Sequence, residues 1–317
     1  MIDILGSLEE NAIEPKSSRN SYKKDIDIST DLEHDELNAT ALQTLHQKPG
    51  SSEQPIDSGI SKLPFTKCRT RMRTRLVLPI IVSSDKEAVE VTTCPDSGSE
   101  ENIISLEFVD RLGLKLQESG HESTRFSIAN GKIVESIGQV SAQCSFVASI
   151  ISDSSALDCI FHVFHSLAVP VIMGMNFLEQ TETLNKHKDR LVEELVPAMQ
   201  SLRVTSIGKP RRNIICRLGT YVGCAVADTG SDLDLVSPEF ARSRAFNIQP
   251  ACEELQFADC SFGYTSGIIR TSFSIGNLGD GTGFLPRGNV VSLEFFVLDS
   301  LNADILVGHK KGTMDDS

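Results

Sequence analysis

The stretch "CPDSGSEENIIS", Cys94 to Ser105, is written a second time as "VADTGSDLDLVS", Val226 to Ser237, 132 positions on. The offset holds without a gap for Asp96/Asp228, Ser97/Thr229, Gly98/Gly230 and Ser99/Ser231. It continues through Ser105/Ser237, Glu107/Glu239, Phe108/Phe240 and Leu116/Ile248. Around each copy the order of segments also repeats. "RLVLPIIV", "SSDKE" and "AVEVTT" read as a strand pair ending at Asp96; "NIICRL", "GT" and "YVGCAVA" do the same before Asp228. A turn-centred hairpin follows each acid, at Ala129, Asn130 and Gly131 and again at Ala258, Asp259 and Cys260. An apolar run closed by glycine comes last, "VPVIMGMNFL" with Gly174 and "ADILVGHKKG" with Gly308, 78 and 80 residues past the respective acids. A three-part order kept at matching distances marks a duplication, and a duplicated set of short strands calls for two similar β lobes.

The tripeptide alone would not support this. Asp-Ser/Thr-Gly arises by chance in roughly one chain of this length in six or seven. "PIDSGISKLP" holds a third copy at Asp57 with no apolar strand before it, and that copy is a decoy. It lies in residues 1–60, where 12 acids face 5 Lys and Arg without hydrophobic periodicity. Such a segment buries too little apolar surface to offset its ordering entropy, so residues 1–65 are expected to form a disordered acidic tail.

Apolar strand, Asp-Ser/Thr-Gly-Ser, hairpin, then apolar-apolar-Gly resembles the layout of retropepsin-like aspartic proteases. "DSGSEENIIS", "IMGMNFL" and "FFVLDSLNADILVG" carry the likeness, which spans about residues 66–182 and 208–312. The resemblance implies an all-β protein of two retropepsin-like barrel lobes with short helices, paired within one chain as in pepsin-like enzymes. Lobes are expected at 66–182 and 208–317. Leu184, Leu191, Leu195 and Met199 have helical spacing, which predicts a helical connector over 183–207.

The resemblance makes Asp96 and Asp228 a catalytic pair for an aspartic-type endopeptidase. Two carboxyls within about 3 Å cannot both ionise, so they share one proton, one serving as base toward water and the other as acid toward the leaving nitrogen. That sharing is known of aspartic proteases in general. Gly98 and Gly230 allow close backbone approach. The hydroxyls of Ser97 and Thr229 buttress the opposite half in the family, Ser99 and Ser231 are placed to bond their own aspartate, and the two hairpins correspond to flaps. Outside this duplicated setting each small residue would read as an ordinary turn.

The match departs from the pattern at three points. Pro95 precedes Asp96 where an apolar strand residue is expected, and proline belongs at strand ends, edges or bulges. Cys260 stands where many flaps have glycine. "HKKGTMDDS" after Gly308 lacks the helix that "GMNFL" supplies in the first half. These departures define the rival reading, a catalytically impaired peptide-binding module that keeps the protease fold. A third alternative is a homodimer pairing like lobes between chains, but the divergence of the two halves favours pairing within the chain.

Other chemistries find little support. A net charge of −13 argues against a general nucleic-acid binder. No apolar run approaches the ~20 residues of a membrane span, and "MIDILGSLEE" does not read as a secretory signal, which points to an intracellular, cytoplasmic setting. Eight cysteines without a CxxC pair suggest reduced thiols rather than a zinc site, and neither metal nor cofactor is called for. The alternating Arg69, Arg71, Arg73 and Arg75 read as the polar face of a strand. His162 and His165 in "CIFHVFHSL" read as solvent-facing strand histidines. "GNLGDGTGFLPRGN" lacks the Lys-Ser/Thr of a phosphate loop and reads as a long hairpin turn.

Overall fold

The computed structural model describes residues 73–117, 124–147, 156–197, 200–208, 213–279 and 283–309. The acidic tail with Asp57, the arginines Arg69 and Arg71, and everything past His309 lie outside the described residues.

The protein is all-β with short helices. Its first half contains β1 (Arg73–Ser83), β2 (Ala88–Pro95), β3 (Ile103–Ser105), β4 (Arg125–Ser127), β5 (Ile133–Glu135), β6 (Gly138–Phe146), β7 (Leu157–Phe164) and β8 (Val171–Met173). Helices α1 (Leu106–Leu112) and α2 (Met175–Gln180) follow β3 and β8. After β9 (Val192–Val196) and β10 (Leu202–Val204), the second half runs through β11 (Asn213–Leu218), β12 (Tyr221–Asp228), β13 (Leu235–Val236), α3 (Pro238–Ser243), β14 (Glu254–Phe257), β15 (Phe262–Tyr264), β16 (Gly267–Leu278), β17 (Phe284–Val297) and β18 (Ile305–Gly308).

The duplication reappears as topology. In the second half, β11-β12-β18-β13-β17-β16 form a closed barrel. In the first, β2-β8-β3-β7-β6-β1 lie in the same order, and pairing of β1 with β2 brings the ends of the row together. The alternating segments fold as read: "LVLPIIV" buries Leu76, Val77, Leu78, Ile80 and Val82 and pairs with β2 from Leu78↔Thr93 to Ser83↔Ala88. "NIICRL" and "YVGCAVA" form the β11–β12 hairpin, with Gly219 at φ 60 in its turn. On either side of the glycine-rich stretch, β16 and β17 pair antiparallel from Gly267↔Val297 to Leu278↔Phe284.

Several repeated residues now have a physical reason. Ser105 and Ser237 cap α1 and α3, accepting from the backbone N–H groups of Phe108 and Phe240 at 3.2 and 3.1 Å. A cap of this kind is worth about 1 kcal/mol. Gly174 and Gly308 pack against the carbonyls of Glu101 and Leu233, themselves an equivalent pair, too closely for any Cβ. Their N–H groups donate to the side chains of Asn102 and Asp234 at 3.1 and 3.0 Å.

Two expectations need correction. The stretch expected as a helical connector is turn, a 3₁₀ segment at Lys188–Arg190, and then β9 and β10. The apolar spacing across 184–199 matched a helix, but β9 finds the open edge of β1, pairing from Arg73↔Val196 to Val77↔Val192. Ladder bonds to an existing sheet outweigh a weak helical preference interrupted at Pro197. Of the histidines, His165 is exposed, whereas His162 is buried against Phe126, edge to face at 4.9 Å between ring centroids.

Among the described residues no helix is long and apolar enough to cross a membrane.

Candidate active site

Asp96 and Asp228 stand where β2 and β12 end, and the two loops meet. Across the junction Ser97 N–H donates to Thr229 Oγ1 and Thr229 N–H donates to Ser97 Oγ, both at 3.0 Å. The hydroxyls then continue to the strands of the opposite half: Ser97 Oγ–H to Ala227 C=O at 2.8 Å, and Thr229 Oγ1–H to Pro95 C=O at 2.6 Å. Four reciprocal buried bonds fix the halves in one register. Pro95 closes β2 without disturbing this. Asp96 N–H still bonds Met173 C=O at 3.0 Å, and the proline carbonyl is the acceptor that Thr229 uses.

Each glycine of the motif serves the other half's acid. A Cβ on Gly98 would lie 2.8 Å from Asp228 Cγ, and one on Gly230 would lie 2.7 Å from Asp96 Cγ. Only glycine lets the backbones come close enough for the carboxyls to meet. Within each loop the glycine N–H donates to its own aspartate, Gly98 to Asp96 Oδ1 at 2.7 Å and Gly230 to Asp228 Oδ1 at 2.9 Å.

Beyond that shared frame the acids differ. Asp96 Oδ2 also accepts from Ser99 Oγ at 2.9 Å and from Thr205 Oγ1 at 2.8 Å. Ser231 does not repeat the role of Ser99; its hydroxyl donates to Leu233 C=O at 2.8 Å instead. Asp228 Oδ2 is buried and meets no donor among the described residues. Burial, then the charge of Asp96 and a hydrogen bond with it, push the Asp228 carboxyl well above the ordinary carboxylate range. The protonated form of Asp228 is thereby favoured, while three donors converge on Asp96. Both residues are 0% exposed.

The two hairpins share one hydrogen-bond scheme. Gly131 N–H bonds Ile128 C=O at 2.9 Å, and Cys260 N–H bonds Phe257 C=O at 3.0 Å. Asn130 Oδ1 accepts from Lys132 N–H and Asp259 Oδ1 from Ser261 N–H, each at 3.1 Å. Ala129 and Ala258 are fully buried at the two turns. Cys260 (φ 65) occupies the left-handed position that Gly131 (φ 76) fills in the first hairpin. The tips are tied by an ion pair between Lys132 and Asp259. Burial raises the Asp259 carboxyl, but bonds from Lys132 and Ser261 outweigh it and the net shift is downward.

Three participants escaped the sequence reading. Arg75, read as part of a polar strand face, is buried and reaches across to Asp232, with Nε 3.0 Å from Oδ1. Its place beside the apolar run was visible; its partner 157 residues away was not. Asp232 follows the second aspartate by four residues and had no assigned part. Thr205, on the segment after β10, carries no motif.

No known protein-family model matches the chain. No curated protein matches it either. Solved structures similar to it include the retroviral protease-like domain of Ddi1 from Leishmania major, 14% identical with a TM-score of 0.26, the match covering 40% of this chain and 97% of that one.

Proposed function

We propose that the chain is an aspartic-type endopeptidase of retropepsin-like, internally duplicated design, in which Asp96 and Asp228 activate water for attack on a peptide carbonyl. The observation that carries this reading is the buried pair itself: two equivalent acids, each packed against the motif glycine of the other half, one supported by three donors and the other pushed toward its protonated form. A carboxylate base beside a neutral carboxylic acid is the arrangement needed to take a proton from water and give one to the leaving nitrogen. Ser97 and Thr229 hold the pair in register, the glycines admit it, and the hairpins at 129–131 and 258–260 cover an extended polypeptide substrate. One chain supplies both acids, so pairing of lobes within the chain is the form proposed to act.

The test is hydrolysis of an unfolded polypeptide by Asp96→Asn, Asp228→Asn and Asp57→Asn variants between pH 4 and 7. Loss of general acid or base should lower turnover by about 10²–10⁴-fold in the first two. Asp57→Asn should match the wild type. Wild-type turnover by Asp228→Asn would overturn the paired-carboxylate assignment, and no turnover by the wild type would leave a peptide-binding module that keeps the fold.

A further inference from the structure

The segment Leu202–Gly208 passes directly over the two aspartates, and its contacts are those of a bound peptide. On one side β10 pairs parallel with β14 of the second hairpin, from Leu202↔Leu255 to Val204↔Phe257. On the other, Ile207 bridges antiparallel to Ile128 of the first hairpin, and Gly208 N–H donates to Ser127 C=O at 2.7 Å. The segment thus runs parallel to one hairpin and antiparallel to the other, seated between the two.

The acid-bearing loops grip the same strand from below. Arg203 N–H donates to Asp232 Oδ2 at 2.7 Å, and Asp232 N–H returns a bond to Arg203 C=O at 2.9 Å. Ser206 Oγ–H donates to Gly98 C=O at 3.1 Å, and Ile207 N–H to Ser99 Oγ at 3.0 Å. Thr205 stands at the centre with its hydroxyl on Asp96 Oδ2, where a hydrolytic water would have to stand. Leu202, Val204 and Ile207, exposed by 8%, 0% and 1%, belong to an apolar cluster built from both halves with Ile128, Phe126, Leu255 and Phe257.

We propose that Leu202–Gly208 is an internal pseudosubstrate: it fills the peptide cleft, slows the pair without silencing it, and displays the class of peptide the cleft accepts. That class is an extended strand with apolar side chains at three positions flanking a small hydroxyl pair, the pattern Leu-Arg-Val-Thr-Ser-Ile. The chemistry attributed to the cleft rests on the peptidase reading; the occupancy rests on the segment's own contacts. Being tethered at both ends, the segment competes at an effective concentration on the order of millimolar, so a free peptide of similar affinity is shut out until the segment leaves.

The experiment uses the full chain and a fluorescein-labelled synthetic peptide of residues 200–208, QSLRVTSIG, followed by fluorescence anisotropy. A Val204→Asp/Ile207→Asp double variant expels the segment, because two carboxylates cannot be buried in the apolar cleft. Thr205→Val, nearly isosteric, removes only the central bond. Wild type should bind the peptide at least tenfold more weakly than either variant, and a peptide carrying the same two Asp substitutions should bind none of them. Equal binding by wild type and Thr205→Val, with the double variant folded and also no tighter, overturns the proposal. Should the double variant fail to fold, Thr205→Val decides alone, together with faster hydrogen exchange at the Ile207 amide. Hydrolysis of an unfolded polypeptide is scored separately. Opened variants that bind the peptide without cleaving anything sink the peptidase reading and leave the pseudosubstrate standing. Opened variants that cleave but bind no tighter do the reverse.

Discussion

The two halves share a topology, a pair of cap serines, a hairpin scheme and a glycine embrace, yet they present their acids to different surroundings. Asp96 accepts from Gly98, Ser99 and Thr205; among the described residues Asp228 accepts a backbone bond from Gly230 and no side-chain hydroxyl bond. Duplication supplies the repeated frame that brings two carboxyls together, and the chemistry proposed for them needs the two to be unequal. The inequality here comes from two small departures: Ser231 turning to Leu233, and one asymmetric strand laid across a symmetric site. A frame of two identical halves with nothing between them would leave the proton unassigned.

The largest effect expected from breaking this comparison is at Arg75. Its fork on Asp232 is buried at both ends, and the same Asp232 also accepts from Arg203 N–H. Truncating one partner of a buried pair costs about 3–5 kcal/mol because the remaining charge is left uncompensated. Arg75→Met should therefore lower the denaturation midpoint sharply, and Arg75→Met/Asp232→Asn should recover part of the loss. A loss under about 1 kcal/mol in the single variant would mean that the pair is solvated as a surface bridge is.

The glycines rank next. Gly98→Ala and Gly230→Ala each push a methyl into the opposite carboxyl, at a cost of about 1–3 kcal/mol for overpacking. Gly230→Ala should be the worse of the two, because its Cβ would overlap Thr205 Oγ1 far more severely than that of Gly98→Ala, which would keep 3.0 Å from Ser206 Oγ. Both should lose the peptide hydrolysis proposed above, since the methyl pushes the opposite carboxyl out of place. Equal denaturation midpoints would show that the closer approach of Gly230 to Thr205 carries no extra cost.

How much of this could be read from the chain depends on sequence distance. The paired acids, their glycines and the two hairpins are local phrases repeated at a fixed offset, so comparison within one sequence exposes them. The turn at Cys260 was legible as a position normally given to glycine, and Gly131 in the equivalent place supplies the reason. Arg75 and Asp232 escaped because each looks ordinary alone and the contact exists only after both halves fold. Residues 183–207 were misread because their leucines fit a helical period, whereas the open edge of β1 and the cleft decide their structure. Leu202 and Val204 do alternate as a strand, but nothing local says what the strand would lie upon.

Titration tests the unequal acids directly. Asp228 is raised in the folded protein from its usual value of 3.8, first by burial and second by Asp96. The folded state then binds the proton more tightly than the unfolded state, so stability from this group is full below about pH 4 and falls as pH rises through the folded value. Denaturation followed between pH 4 and 8 should show that decline. Asp228→Asn should remove this contribution to the slope, while Asp96→Asn should shrink it without abolishing it, because burial remains. A slope unchanged by Asp228→Asn would place the proton elsewhere.

The smallest expected effect compares the hairpin tips. Gly131 and Cys260 hold the same left-handed turn, one with a residue that adopts it freely and the other with a side chain that resists it. A left-handed conformation costs a non-glycine residue about 1–2 kcal/mol, so Cys260→Gly should stabilise by roughly 0.5–1 kcal/mol once glycine's greater freedom in the unfolded chain is subtracted. Gly131→Ala should destabilise by about the same amount or slightly more, since its Cβ would also lie 3.1 Å from Ser300 C=O. Opposite signs from the two substitutions, read as shifts in denaturation midpoint, are what a shared turn geometry requires. If Cys260→Gly destabilises instead, the thiol contributes packing that the first hairpin lacks, and the tips differ in more than backbone strain.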